Sequence, residues 1–116
     1  MSEAFFLRSI SGTAQTNELF LKRASRTLTA NLVMGNVGEP TVQIINAAAT
    51  GRNVNLPLES INDGKTLILY NASTGAATLT LQSNAGAALV PAVTVAQNAS
   101  VMMYCDGVAW RAISTA

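Results

Sequence analysis

Residues 66–82 read Thr66-Leu67-Ile68-Leu69-Tyr70-Asn71-Ala72-Ser73-Thr74-Gly75-Ala76-Ala77-Thr78-Leu79-Thr80-Leu81-Gln82. An apolar run over 66–70 leads into a Ser-Thr-Gly turn. Leu79 and Leu81 then alternate with Thr78, Thr80 and Gln82. Period-two alternation marks a strand with one face in a core. A short unbroken apolar run predicts a strand buried on both faces. Working outward, 52–58 alternates strictly, with Val54, Leu56 and Leu58 on one face. Pro57 has no N–H for a ladder, so the spacing predicts an edge strand or a strand end there. Residues 41–46 are rich in β-branched side chains, and 27–33 alternate before turning apolar. Further strands are predicted over 92–95, 100–105 and 109–113.

The punctuation agrees. Asn62-Asp63-Gly64, Ser73-Thr74-Gly75 and Asp106-Gly107 are turn sequences, in which Gly accepts positive φ and Asx side chains bond their own backbone. Turn signals about every 10 to 15 residues predict an all-β chain, a sandwich or barrel. The Ala-rich patches at 47–49 and 85–88 read as loops. No repeat recurs at a fixed period.

A chain of 116 residues has the length of one domain. Apolar residues make up 49%, so a core is expected, and charged residues are only 11%. Seven basic against six acidic residues rule out polyanion binding by bulk charge. There is no His, which removes Ser-His-Asp, Cys-His and His-based metal chemistry. Cys105 is the single cysteine, so no disulfide joins two parts of the chain. No apolar run reaches membrane-spanning length, and the first residues do not read as a signal peptide. The expectation is a soluble chain made in a cytoplasm.

Residues 1–26 differ from the rest. They hold Arg8, Lys22, Arg23 and Arg26 against Glu3 and Glu18, and all three Phe: Phe5, Phe6 and Phe20. Residues 16–23 read either as a short helix capped by Asn17 or as an edge strand. The expected organisation is an extended N-terminal arm over 1–26 and a β-sandwich or jelly-roll-like domain over 27–116.

Chemistry is sparse. Glu39, Asp63 and Asp106 sit in or beside turns, where a turn-forming role outweighs acid catalysis. Asp63-Gly64-Lys65 lacks the glycine spacing of a phosphate loop. Cys105 lies in an alternating strand with no base to activate it. Met102 and Met103 are adjacent, so one faces inward and one outward. Trp110 follows the Asp106-Gly107 turn. Core or interface is its expected place, with sugar stacking beside Tyr104 as the alternative. The basic arm lacks the stacking platform of a nucleic-acid binder. Its Phe and Leu residues need a protein surface for burial.

The segments 56–60, 64–71, 78–81, 93–101 and 104–113 together resemble a cadence of tailed-bacteriophage structural proteins. Leu56-Pro57 opens it, Gly64-Lys65 turns into a buried strand, Leu79-Thr80-Leu81 follows, and Asp106-Gly107 leads to Trp110. The chain looks like the β module of phage head decoration (cement) proteins, and of some tail and fibre proteins. The resemblance covers about half the chain. It implies a small β-sandwich or jelly-roll-like homotrimer on the outer capsid surface of a virion, with the major capsid protein as partner. Phe5, Phe6, Leu7, Leu19 and Phe20 of the arm would then anchor on the capsid. Arg8, Lys22, Arg23 and Arg26 would steer it. Trp110, Met102 and Tyr104 are placed in the core or the trimer interface. No catalytic, cofactor or metal role is expected, and no nucleic acid, membrane or small-molecule substrate. The alternatives are a tail or fibre component and a carbohydrate-binding β module.

Overall fold

The computed structural model describes residues 20–114. Among them nine strands form two mixed sheets, with a single 3-10 turn at Glu59–Ile61. In chain order the strands are β1 (Arg23–Thr27), β2 (Leu32–Val33), β3 (Val42–Asn46), β4 (Arg52–Asn55), β5 (Thr66–Asn71), β6 (Leu79–Gln82), β7 (Ala88–Val95), β8 (Ser100–Cys105) and β9 (Trp110–Ser114). A five-stranded sheet has the order β1-β3-β5-β8-β9, and a four-stranded sheet β2-β4-β6-β7. No helix among the described residues is long and apolar enough to cross a membrane.

Through β6 the chain alternates between the sheets, odd strands in one and even strands in the other. Each return lays a strand parallel to its predecessor: β1 on β3, β3 on β5, β2 on β4, β4 on β6. The result is three wound coils. Antiparallel strands then close the winding, β7 on β6 and β8 on β5, with β9 on β8. A jelly roll is antiparallel, so the four parallel ladders depart from that expectation. The coils also explain why no fixed period is visible. Arg23 pairs with Val42 and Val42 with Ile68, offsets of 19 and 26 residues.

Alternation builds the core. Ile45, Leu67, Leu69, Val101, Met103 and Cys105 point in from the five-stranded sheet, and Val54, Leu79, Leu81 and Val95 from the four-stranded one, in one cluster. Each such apolar side chain contributes about 1.5–3 kcal/mol on leaving water. The buried polar residues Gln43, Asn71 and Ser73 are bonded, whereas Arg52 Nε on β4 has no partner among the described residues. Asn71 Nδ2 donates to the carbonyls of Ala77 and Val95, both at 2.9 Å. Its Oδ1 accepts from the Ser73 amide and hydroxyl. That amide therefore ties the end of β5 to the strands of the other sheet. At the opposite turns, Asn36 Oδ1 accepts from Leu58 N and Asn84 Nδ2, and Asn84 Nδ2 also donates to Leu56 O. Asparagines thus join the corners of successive coils.

Several sequence expectations are corrected. The 26/27 boundary falls inside β1, so residues 23–26 are a strand of the sheet. Residues 27–33 are not one strand but the end of β1, a turn and β2. β4 lies between β2 and β6 and ends at Asn55, so of the two expectations for Pro57 the strand end holds and the edge strand does not. β5 alternates between half-buried and buried residues, because only one of its faces meets the other sheet. β7 starts at Ala88, within the patch read as a loop. Residues 20–22 are neither helix nor strand.

Candidate interaction surfaces

The carboxylates described here serve the fold. Glu39 pairs with Arg26, accepts from Gln43 Nε2 at 3.2 Å and takes the Gly35 amide at 2.7 Å. Glu59 accepts the Asn84 amide at 3.0 Å. Asp106 accepts the Val108 and Ala109 amides and Arg111 Nε, closing the β8–β9 turn. The backbone amides of Ala109 and Val108, and then Arg111, hold its carboxyl down to about 2. Among the described residues no three His, Cys, Asp or Glu side chains group as metal ligands. Burial pushes the Cys105 thiol above its ordinary value, which disfavours the nucleophilic thiolate.

Trp110 is buried in the core, and its Nε1 donates to Pro57 O at 2.9 Å. Its ring also lines a shallow recess of about 120 Å³ with Val90, Pro91, Val93, Arg111 and Ala112. Trp110 pairs with Cys105 and therefore faces inward, whereas Tyr104 pairs with Arg111 on the other face. The two aromatics share no stacking platform. Met102 is half-buried on the same outward face as Tyr104, and Met103 is fully buried.

Two surfaces stand out. The first is the lead-in to β1. Phe20 is 77% and Leu21 48% exposed, and Lys22 and Arg23 beside them are exposed too. They emerge at an edge of the five-stranded sheet, where Lys22 O still accepts Val42 N. Phe5, Phe6, Leu7, Arg8 and Leu19 of the expected arm lie outside the described residues.

The second is the outward face of the five-stranded sheet. One row across it reads Arg23, Val42, Ile68, Met102, Ser114, each residue paired to the next. The next reads Ser25, Ile44, Tyr70, Ser100. Tyr104 and Arg111 continue a third row from Thr66. Val42, Ile44, Ile68, Tyr70 and Met102 are half-buried on the face turned away from the other sheet. Sequence reasoning missed this surface by placing 66–70 inside a core on both sides. The unbroken apolar run was the signal for it. Comparison with family models, with curated proteins and with solved structures finds no match to this chain.

Proposed function

We propose that this chain is a structural protein of a bacteriophage virion that decorates the capsid and stabilises it by clamping neighbouring major capsid protein subunits. The observation that carries this reading is the lead-in strip, Phe20 and Leu21 beside Lys22 and Arg23, open to solvent at the edge of a bonded β scaffold. Burying Phe20 on a neighbour would contribute about 1.5–3 kcal/mol. The two cations would speed encounter and set the rim contacts, both weakened by salt. Two sheets sharing one core support a sandwich-like module as the scaffold. Phe5, Phe6 and Leu7 lie far enough upstream to extend the contact over an adjacent subunit. The protein acts without chemical turnover, on the outer capsid surface.

The test removes residues 1–19, which spares β1, and compares co-sedimentation of the truncated and full-length chains with undecorated heads. A second variant carries Phe20→Ser, Lys22→Glu and Arg23→Glu. Both are expected to stay folded and to lose head binding. Full-strength binding by both would overturn the proposal. A tail or fibre component is the second reading, favoured by β1 and β2, which are edge strands among the described residues and on which a further coil could stack. Binding to tails and not to heads would select it.

A further inference from the structure

Among the described residues no strand packs over the outward face of the five-stranded sheet. Its apolar side chains occupy the inner strands: Val42 and Ile44 on β3, Ile68 and Tyr70 on β5, Met102 and Tyr104 on β8. Its charged side chains, Arg23 and Arg111, occupy only the outermost strands β1 and β9. No acidic residue lies on the paired rows of the face. Five strands at about 4.8 Å spacing, each about five residues long, project a face of roughly 24 by 17 Å. That is on the order of 400 Å² of projected face, within the span of the largest surface patches of monomers, which are often functional. The smallest specific interfaces bury roughly 600 Å² per partner, so the pair is expected at the weak, micromolar end of that range.

The face is complementary to itself. β5 is the central strand of five, so a twofold axis along it superposes Ile68 on its own copy. The same axis lays β3 over the partner's β8, setting short Val42 against long, adaptable Met102. It lays β1 over the partner's β9, so Arg23 meets the row position of Ser114 rather than another arginine. No charge enters the middle of such an interface, and the arginines remain at a wet rim. Aligned packing of two twisted sheets has this geometry.

We propose that this face binds a second copy of the chain, sheet on sheet, about a twofold axis along β5. The lead-in residues 20–23 remain at the rim of the pair. The twofold pair is the alternative to the threefold assembly that the phage resemblance implies, and it stands independently of capsid binding.

The test is sedimentation equilibrium of the full chain at micromolar concentration, with Ile68→Lys and Thr80→Lys as variants. Thr80 lies on the outward face of the other sheet. The full chain and Thr80→Lys are expected to give twice the chain mass. Ile68→Lys sets two like charges together at the axis and is expected to weaken the pair by about a hundredfold or more. Its melting curve must show a cooperative fold. An Ile68→Cys variant supplies the second readout, since an axial residue joins to itself through a short bismaleimide. Native Cys105 is buried and serves as the unreactive control. Monomer or trimer mass for the full chain would overturn the proposal, as would equal pairing by both lysine variants or no joining at position 68.

Discussion

Across the outer face of the five-stranded sheet one row runs Arg23, Val42, Ile68, Met102, Ser114. Across the four-stranded sheet a row runs Asn53, Thr80, Thr94, with Asn55 and Gln82 beside it. The inner faces of both supply one apolar cluster, with Gln43 and Asn71 as buried polar residues on the five-stranded side. The difference is therefore not demanded by the core. Asparagine, threonine and glutamine satisfy water directly in the middle of the four-stranded sheet, and its exposed apolar residues, Val33 and Val90, lie on the outermost strands β2 and β7. Isoleucine, valine and methionine gain nothing from water. An antiparallel or mixed sheet with one solvated face ordinarily alternates apolar with polar residues, and β6 does so while β5 does not. The difference shows that the chain sets apolar residues in the middle of one outer face and polar residues in the middle of the other.

The comparison presupposes that the shared core holds both sheets. The largest break is therefore Trp110→Ala, which empties a buried ring position and strands Pro57 O. About 3–5 kcal/mol of unfolding free energy is expected to vanish in a denaturant titration. Unchanged stability would show that β9 is not fastened to the core. Next is Asn71→Leu, which leaves the Ala77 and Val95 carbonyls and the Ser73 hydroxyl without their partner. A loss of about 2–4 kcal/mol is expected, measured in the same titration.

These two residues also mark what was legible in sequence. A lone Trp in a small β domain is more often core or interface than sugar platform, and Trp110 is buried. The strands 41–46, 52–58, 66–70, 77–82, 100–105 and 109–113 were readable because alternation or β-branching is local. β1 was not. Arg23-Ala24-Ser25-Arg26-Thr27 has neither signal, and it is a strand because Val42–Asn46 offers it a parallel ladder. The winding was equally hidden, since parallel pairing is non-local and the coil lengths drift. Asn71 looked like any strand-end asparagine. Only the return of two later segments to its side chain makes it a tie between sheets. The outward apolar face was half legible. Its residues were recognised as apolar on both sides, but not which side lacked a cover.

A smaller effect sharpens the winding itself. A Cβ on Gly75 would come within 2.9 Å of Ala49 Cα and Cβ, in the loop of the preceding coil. Gly75→Ala is expected to cost about 1–3 kcal/mol and lower the melting temperature, with sheet-on-sheet pairing retained in the folded fraction. The smallest effect concerns the last hairpin. The Asp106 carboxyl is lowered from 3.8 to about 2 by the Ala109 and Val108 amides and by Arg111. A depressed carboxyl contributes its stabilisation above the unfolded value and loses it as pH falls. The β8–β9 turn is thus expected to loosen between about pH 4 and pH 2, and Asp106→Asn to flatten that part of a melting-temperature profile. A profile with the same slope in the variant would place the acid sensitivity elsewhere.

The central claim is that the outward face of the five-stranded sheet is covered by another molecule of this chain. Methionine oxidation by dilute peroxide reads it directly, because Met102 lies on that face while Met34 and Met103 are buried in the core. With protein concentration raised through the pairing range, Met102 is predicted to oxidise progressively more slowly, while Met34 and Met103 stay protected throughout. In Ile68→Lys, Met102 is predicted to oxidise fast at every concentration. A Met102 rate that does not change with concentration in the unmodified chain would contradict the account.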